Sequence, residues 1–95
     1  MATIKGTKRQ ARKRHRQSLE RRVRNKSVRT RVRRQMRKMR AALSEGNVEQ
    51  VRELLPETIS VIDRGSRRGV LHRRTAARYK SRMARQAQAL ISKDA

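Results

Sequence analysis

The sequence has no cysteine, no phenylalanine and no tryptophan, and only one tyrosine and one proline. Without cysteine there are no disulfide staples and no Cys-based zinc sites, and His15 and His72 stand too far apart to suggest a metal centre. With Tyr79 as its only aromatic residue the chain offers no platform for unstacked bases, which argues against modules that read single strands by stacking. No apolar run reaches the roughly 18 residues a membrane span needs, and the N-terminus lacks the apolar stretch of a secretory signal. An Arg-rich, acid-poor start imitates a mitochondrial presequence, but here the basic character resumes after residue 63 and continues to Lys93. A cytosolic or organellar chain is expected. Apolar residues make up 34% of 95 positions, below the roughly 45–50% of globular chains, so the core of a single small domain must be thin.

What the chain has is positive charge, +22 in total, and it is unevenly spread. Residues 1–40 hold 18 Lys or Arg against one acid, Glu20; residues 41–63 hold Glu45, Glu49, Glu53, Glu57 and Asp63 against Arg52; residues 64–95 hold ten bases against Asp94. A chain this basic repels itself when compact and is completed by a dense polyanion, of which nucleic acid is the densest in a cell. Arg outnumbers Lys 22 to 7. The planar guanidinium fork grips phosphate oxygens bidentately, whereas ammonium is a hydrated point charge, so geometry-specific phosphate binding is favoured over mere solubility.

Punctuation at Gly46 and in the stretch 64–69, with no strand-like alternation, predicts three helices, near 8–44, 47–65 and 70–91. In the first, Val28, Val32, Met36, Met39 and Leu43 recur at steps of 4, 4, 3 and 4 and form a core stripe. Arg22, Lys26, Arg29, Arg33, Arg37 and Arg40 form a second stripe about a third of a turn away. Leu19 and Val23 fall about half a turn from the core stripe, so they touch RNA or the helix bends there. Residues 1–18 are too poor in apolar side chains to offset the ordering entropy of about 1–2 kcal/mol per residue. This basic arm, which includes Lys5, Lys8, Arg9, Arg12, Lys13, Arg14 and Arg16, is expected to be disordered or frayed without a partner and to project beyond the bundle.

The second helix is expected to start at Asn47, an N-cap with Gln50 as capping-box partner, after Gly46 ends the first. Val48, Val51, Leu55, Ile59 and Ile62 give its core face, with a kink near Pro56. Glu45, Glu49, Glu53 and Glu57 form an i, i+4 ladder that turns this helix away from phosphate. In the third helix His72, Ala76, Tyr79, Met83, Ala87 and Leu90 close the bundle, and Arg74, Arg78, Arg82 and Arg85 stand opposite. The expected class is all-α: a three-helix bundle with a long, protruding, basic first helix.

Catalysis finds no support: there is no Gly-rich phosphate loop, and no Ser or Thr has a partnered His nearby in sequence. No cofactor, small-molecule substrate or homo-oligomer is expected. Zinc-finger spacing, basic-zipper heptads and aromatic RNA-binding motifs are also missing. Shape and phosphate recognition of a folded RNA fits these residues best. A histone-like, nucleoid DNA condenser is the alternative within nucleic-acid binding. A membrane-active cationic helix is a third class, which the lack of Trp and Phe disfavours.

Several segments also resemble a known family. They are the opening Ala2-Thr3-Ile4-Lys5, the run from Arg14 to Lys26, Arg29-Thr30-Arg31-Val32-Arg33, Glu45-Gly46-Asn47, Ile62-Asp63-Arg64, and Gly69-Val70-Leu71-His72-Arg73 leading into Ala76-Ala77-Arg78. In order and spacing the chain resembles the bacterial ribosomal protein S20 family of the small subunit. The resemblance implies a structural role in the cytoplasmic ribosome, with direct binding to the 5′ domain of 16S rRNA and contact with the 3′ minor domain. Carried over by position, it implies RNA contacts at Lys5, Lys8, Arg9, Arg14, Arg24, Asn25, Lys26, Arg29, Arg33, His72, Arg73 and Arg78. Relatives often have Thr where Arg34 stands and Asn where Arg74 stands, which implies longer-range phosphate contacts at those two positions.

Overall fold

A computed structural model describes residues 2–94, with side chains from Lys8 to Lys93. Three helices follow one another: α1 (Ala2–Glu45), α2 (Val48–Arg67) and α3 (Arg73–Asp94). At about 1.5 Å per residue α1 is roughly 66 Å long and α2 about 30 Å, so α1 must overhang its neighbour, and the molecule measures 75 × 20 × 15 Å. The helix expected from near residue 8 begins at Ala2, so the basic arm forms the first turns of α1.

The core occupies only the C-terminal half of α1. Val32, Met36, Met39 and Ala42 are buried there against Val51, Val61 and Ile62 of α2 and Ala76, Met83 and Ala87 of α3. Leu43, Leu54, Leu55, Leu71, Tyr79 and Leu90 pack around them, half-buried. The α1 stripe holds as expected from Val32 onward, with Val28 and Leu43 at its half-buried ends. α2 lies in the middle, packing extensively on both other helices, which touch each other little.

One buried polar pair crosses the α1–α2 seam. Gln35 Nε2 donates to Thr58 Oγ1 at 3.2 Å, and that hydroxyl donates to the Leu54 carbonyl at 2.7 Å. Each group is satisfied, so neither carries the desolvation penalty of an orphaned polar atom. The pair is satisfied only in this alignment of the two helices, which the apolar contacts around it share. Thr58 and Val61 were missing from the expected face of α2, which is wider than one apolar residue per turn.

The two connections are built alike. Gly46, at φ +70°, ends α1: its amide donates to the Leu43 carbonyl and the Asn47 amide donates to the Ala42 carbonyl, each at 3.2 Å. Gly69, at φ +75°, ends α2: its amide donates to Ser66 O and the Val70 amide to Gly65 O, each at 3.0 Å. Both are Schellman closures, and the left-handed residue in each is glycine because a Cβ disfavours that conformation. Asn47 then also begins α2, its Oδ1 accepting from the Gln50 amide at 3.2 Å, while its Nδ2 donates to Gln50 Oε1 at 3.4 Å.

Three expectations need correction. His72 is not a core residue: it is exposed, directly before α3, and its Nδ1 accepts the Arg74 amide at 3.1 Å, which caps the helix. The third helix therefore starts at Arg73 rather than 70, because Gly69 through Leu71 are used in the turn. Glu45 is the last residue of α1, so the acidic ladder on α2 is only Glu49, Glu53 and Glu57. At Pro56 the helix is continuous. Arg52, whose carbonyl loses its helical donor there, is exposed, as is Pro56, so water can satisfy that oxygen.

Candidate nucleic-acid interface

The core stripe of α1 is narrow, so cations begin immediately on both of its flanks. On the α3 side Arg29, Arg33, Arg37 and Arg40 rim a groove of about 350 Å³ floored by Val32, Met36, Leu71 and Tyr79. On the α2 side Lys26, Arg31, Arg34 and Lys38 line a larger groove, about 850 Å³, with Val23, Thr30 and Glu57. A third, narrow crevice of about 30 Å³ brings Arg31 beside Arg64 and Arg68 at the end of α2. Side chains one turn apart on a helix sit with Cβ atoms about 5–6 Å from one another. Like charges in that register repel by about 0.2–0.5 kcal/mol per pair, and every bound phosphate relieves several such pairs.

Little inside the molecule relieves them. Among the described residues only two cations have a carboxylate within 4.0 Å: Arg24 with Glu20 at 3.7 Å, and Lys80 with Asp63 at 2.7 Å. The first pair is an exposed i, i+4 contact, and the second joins α3 to α2. Glu49 and Glu53 are exposed and take no cation, and Glu57 reaches the wall of the α2-side groove without a direct ion pair. α2 thus carries most of the acidic residues of the bundle, with Glu49 and Glu53 exposed and Glu57 at the edge of the α2-side groove.

Of the residues expected to bind RNA, Arg29, Arg33 and Arg37 are brought together in one groove, and Lys26 opens into the other. Lys8, Arg9, Arg12, Lys13, Arg14, Arg16, Arg22 and Arg24 are exposed along the overhanging part of α1, where Asn25 is half-buried. The side chain of Lys5 lies outside the described residues. His72, Arg73, Arg74 and Arg78 are exposed at the start of α3, and Arg82 and Arg85 meet Gln86 in a shallow depression farther along it. None of these α3 arginines lines the groove shared with α1, so α3 offers a separate basic surface. Arg29 Nε donates to Asn25 O and Arg85 Nε to Ser81 O, both at 3.4 Å. These bonds draw the side chains back along their helices and leave the terminal NH₂ groups to an external acceptor.

Arg31, Lys38, Arg64 and Arg68 are not among the expected contacts although they line the grooves, and Arg34, for which the resemblance implies a longer-range phosphate contact, lines the α2-side groove with them. For Arg31, Arg34 and Lys38 the signal is the second flank of the α1 core stripe, where cations recur as on the first; Arg64 and Arg68, at the end of α2, join them only through the packing of the two helices. Arg40 belongs with Arg29, Arg33 and Arg37, as its stripe indicates.

The sequence pattern of the family described as Ribosomal protein S20 matches residues 7–88. The chain belongs to the ribosomal protein S20 family. It is 40% identical over 81 residues to the small ribosomal subunit protein bS20 of Koribacter versatilis, covering 85% of this chain and 91% of the relative. It is 42% identical over 81 residues to the bS20 of Bordetella avium, covering 85% and 93%. Against the bS20 of Kosmotoga olearia it is 43% identical over 82 residues, covering 85% and 84%. Family membership makes the chain a structural, non-enzymatic ribosomal protein of the cytoplasm. No helix among the described residues is long and apolar enough to cross a membrane.

Proposed function

We propose that this S20-family protein is a constituent of the small ribosomal subunit that binds 16S rRNA directly and stabilises its fold by neutralising converging phosphates. The observation that carries this reading is the near absence of internal counter-charge: two cation grooves run along α1 and a third basic surface along α3, while only Arg24 and Lys80 have an acidic partner within the described residues. Backbone recognition of this kind fixes position without reading base edges, which suits folded A-form RNA. The relatives named above are small-subunit proteins, and the family resemblance directs the basic surfaces to the 5′ domain, with contact to the 3′ minor domain. The single domain acts as a monomer.

The overhanging part of α1 orders on RNA. Residues 8–18 are exposed throughout, and each ordered residue costs about 1–2 kcal/mol of backbone entropy. Amide hydrogen exchange on the free protein is expected to be fast at residues 8–18 and slow at residues 32–43, and addition of the rRNA should slow the first group.

Sucrose-gradient fractionation of a lysate at moderate salt tests the assignment. Co-migration with small subunits is expected, and absence from them would end the proposal. Neutralising about eight to ten phosphates implies that log affinity falls with log salt at a slope of about −7 to −9. A slope shallower than about −2 would show that phosphate contacts are not the main term. Equal affinity for random duplex DNA and rRNA would favour the DNA-condensing alternative.

A further inference from the structure

Leu19 and Val23 are the large hydrophobic side chains left exposed among the described residues, at 46% and 70% of their full surface. Both lie on the overhanging part of α1, about half a turn from the core stripe, and α1 runs through them without a break. The bundle therefore cannot cover them. Their setting is specific: Arg12, Arg16, Leu19, Val23, Lys26 and Thr30 recur at steps of 4, 3, 4, 3 and 4 on one face. The apolar pair is thus bracketed, one turn to each side, by Arg16 and Lys26, which stand about 15 Å apart along the axis. Beyond Val23 the same face passes into the α2-side groove with Lys26, Thr30 and Arg34.

We infer that Leu19 and Val23 form a dry contact against the ribose edge of an RNA minor groove, with Arg16 and Lys26 on the phosphates at its two rims. The inference rests on the rRNA-binding reading and goes beyond it, because phosphate neutralisation gives these two side chains nothing to do. The minor groove of A-form RNA is wide and shallow and displays sugars between its phosphate rims, so a short apolar ridge with a cation at each end fits it. B-form DNA has a minor groove about half as wide as its major groove, and a helix carrying this ridge does not enter it. A second copy of the chain is a poor occupant, since it would bring two sets of Arg16 and Lys26 together. A lipid surface needs a far longer apolar stripe than two residues. The contact makes this part of α1 a selector of RNA over DNA.

The test is filter binding of the full chain to a 16S 5′-domain transcript and to a duplex DNA of matched length, across a salt series. The Leu19→Ala and Val23→Ala double variant should bind the transcript about tenfold more weakly at every salt concentration, through lost apolar burial. Its salt slope should equal that of the unaltered chain, because no phosphate contact is removed. Its affinity for DNA should stay within about twofold, and Leu19→Met with Val23→Ile should restore RNA binding. By contrast, Arg16→Ala should reduce the slope by about 0.9. Unchanged affinity of the double variant for the transcript overturns the inference, as does equal weakening on RNA and DNA. If the double variant binds naked transcript normally but no longer co-migrates with small subunits, the patch meets a protein and the inference is wrong. An unaltered chain that fails to prefer the transcript over DNA defeats the rRNA-binding reading itself. Circular dichroism should show equal helicity in all variants, since both positions are exposed and Ala favours helix.

Discussion

The two halves of α1 share one helix and a high density of cations, yet only the second is rich in apolar residues, and they are held by different things. From Val32 to Leu43 the helix has a buried stripe, a polar pair to α2 and a closed C-terminus. From Lys8 to Ser27 it has cations on every side, one half-buried residue, Asn25, and one weak ion pair, Arg24 with Glu20. A helix of about 20 residues without an apolar face is marginal in water, and here like-charge repulsion lowers it further. The same secondary structure is therefore intrinsic in one half and conditional in the other. That division separates the task of folding the bundle from the task of engaging RNA.

The comparison is most sharply broken by moving one charge between the halves. Val32→Asp places an unpaired carboxylate at a site only 3% exposed and should cost about 4 kcal/mol or more, unfolding the bundle. Val23→Asp, at a site 70% exposed, should change stability by no more than about 0.5 kcal/mol. Thermal melts followed by circular dichroism would show this, and equal shifts would mean that the overhang is as firmly packed as the core. Next in size is the polar pair. Thr58→Val orphans Gln35 Nε2 and should lower stability by about 1–3 kcal/mol in urea titrations, and adding Gln35→Leu should recover most of it. A double variant no better than the single would show that the loss comes from altered packing rather than from an orphaned amide.

Smaller effects belong to the surfaces. Arg33→Ala and Arg78→Ala should each weaken RNA binding about three- to tenfold and reduce the salt slope by about 0.9, with helicity unchanged. If they lower the melting temperature instead, these arginines serve the bundle. Glu20→Ala removes a 3.7 Å pair between exposed side chains and should shift stability by a few tenths of a kcal/mol at most. A larger loss would mean that the overhang has more intrinsic order than its composition supports.

Much of this organisation is legible in the sequence because it rests on local rules. The spacing of Val32, Met36 and Met39 gives the α1 core stripe, and Gly46 followed by Asn47 gives both the end of α1 and the start of α2. The Gly69 to Arg73 segment is readable as a turn, but not the division of labour within it. Periodicity assigns His72 to the apolar face because it lies four residues before Ala76; only the backbone turn shows that Gly65 O accepts the Val70 and Leu71 amides. That turn leaves Leu71 against Gly65, where an added Cβ would come within 3.1 Å of Leu71 Cδ1 and 3.4 Å of Val32 Cγ2, and frees His72 to cap. Gln35 was missed because a polar residue beside a core stripe looks like surface until its partner, Thr58, is found 23 positions away. The grooves needed the same long-range information, since a groove is a relation between two helices and no single-helix pattern contains it.

The central place of α2 also bears on time. Its two extensive interfaces are with the helices that directly precede and follow it, through connections of a few residues. Chains whose contacts are this local fold in about microseconds to milliseconds, far faster than a ribosome adds one residue, about 50–200 ms at 5–20 residues per second. The bundle can therefore be complete almost as soon as α3 has left the ribosome that made it. From then on its rate of joining rRNA is governed by encounter, which a charge of +22 accelerates.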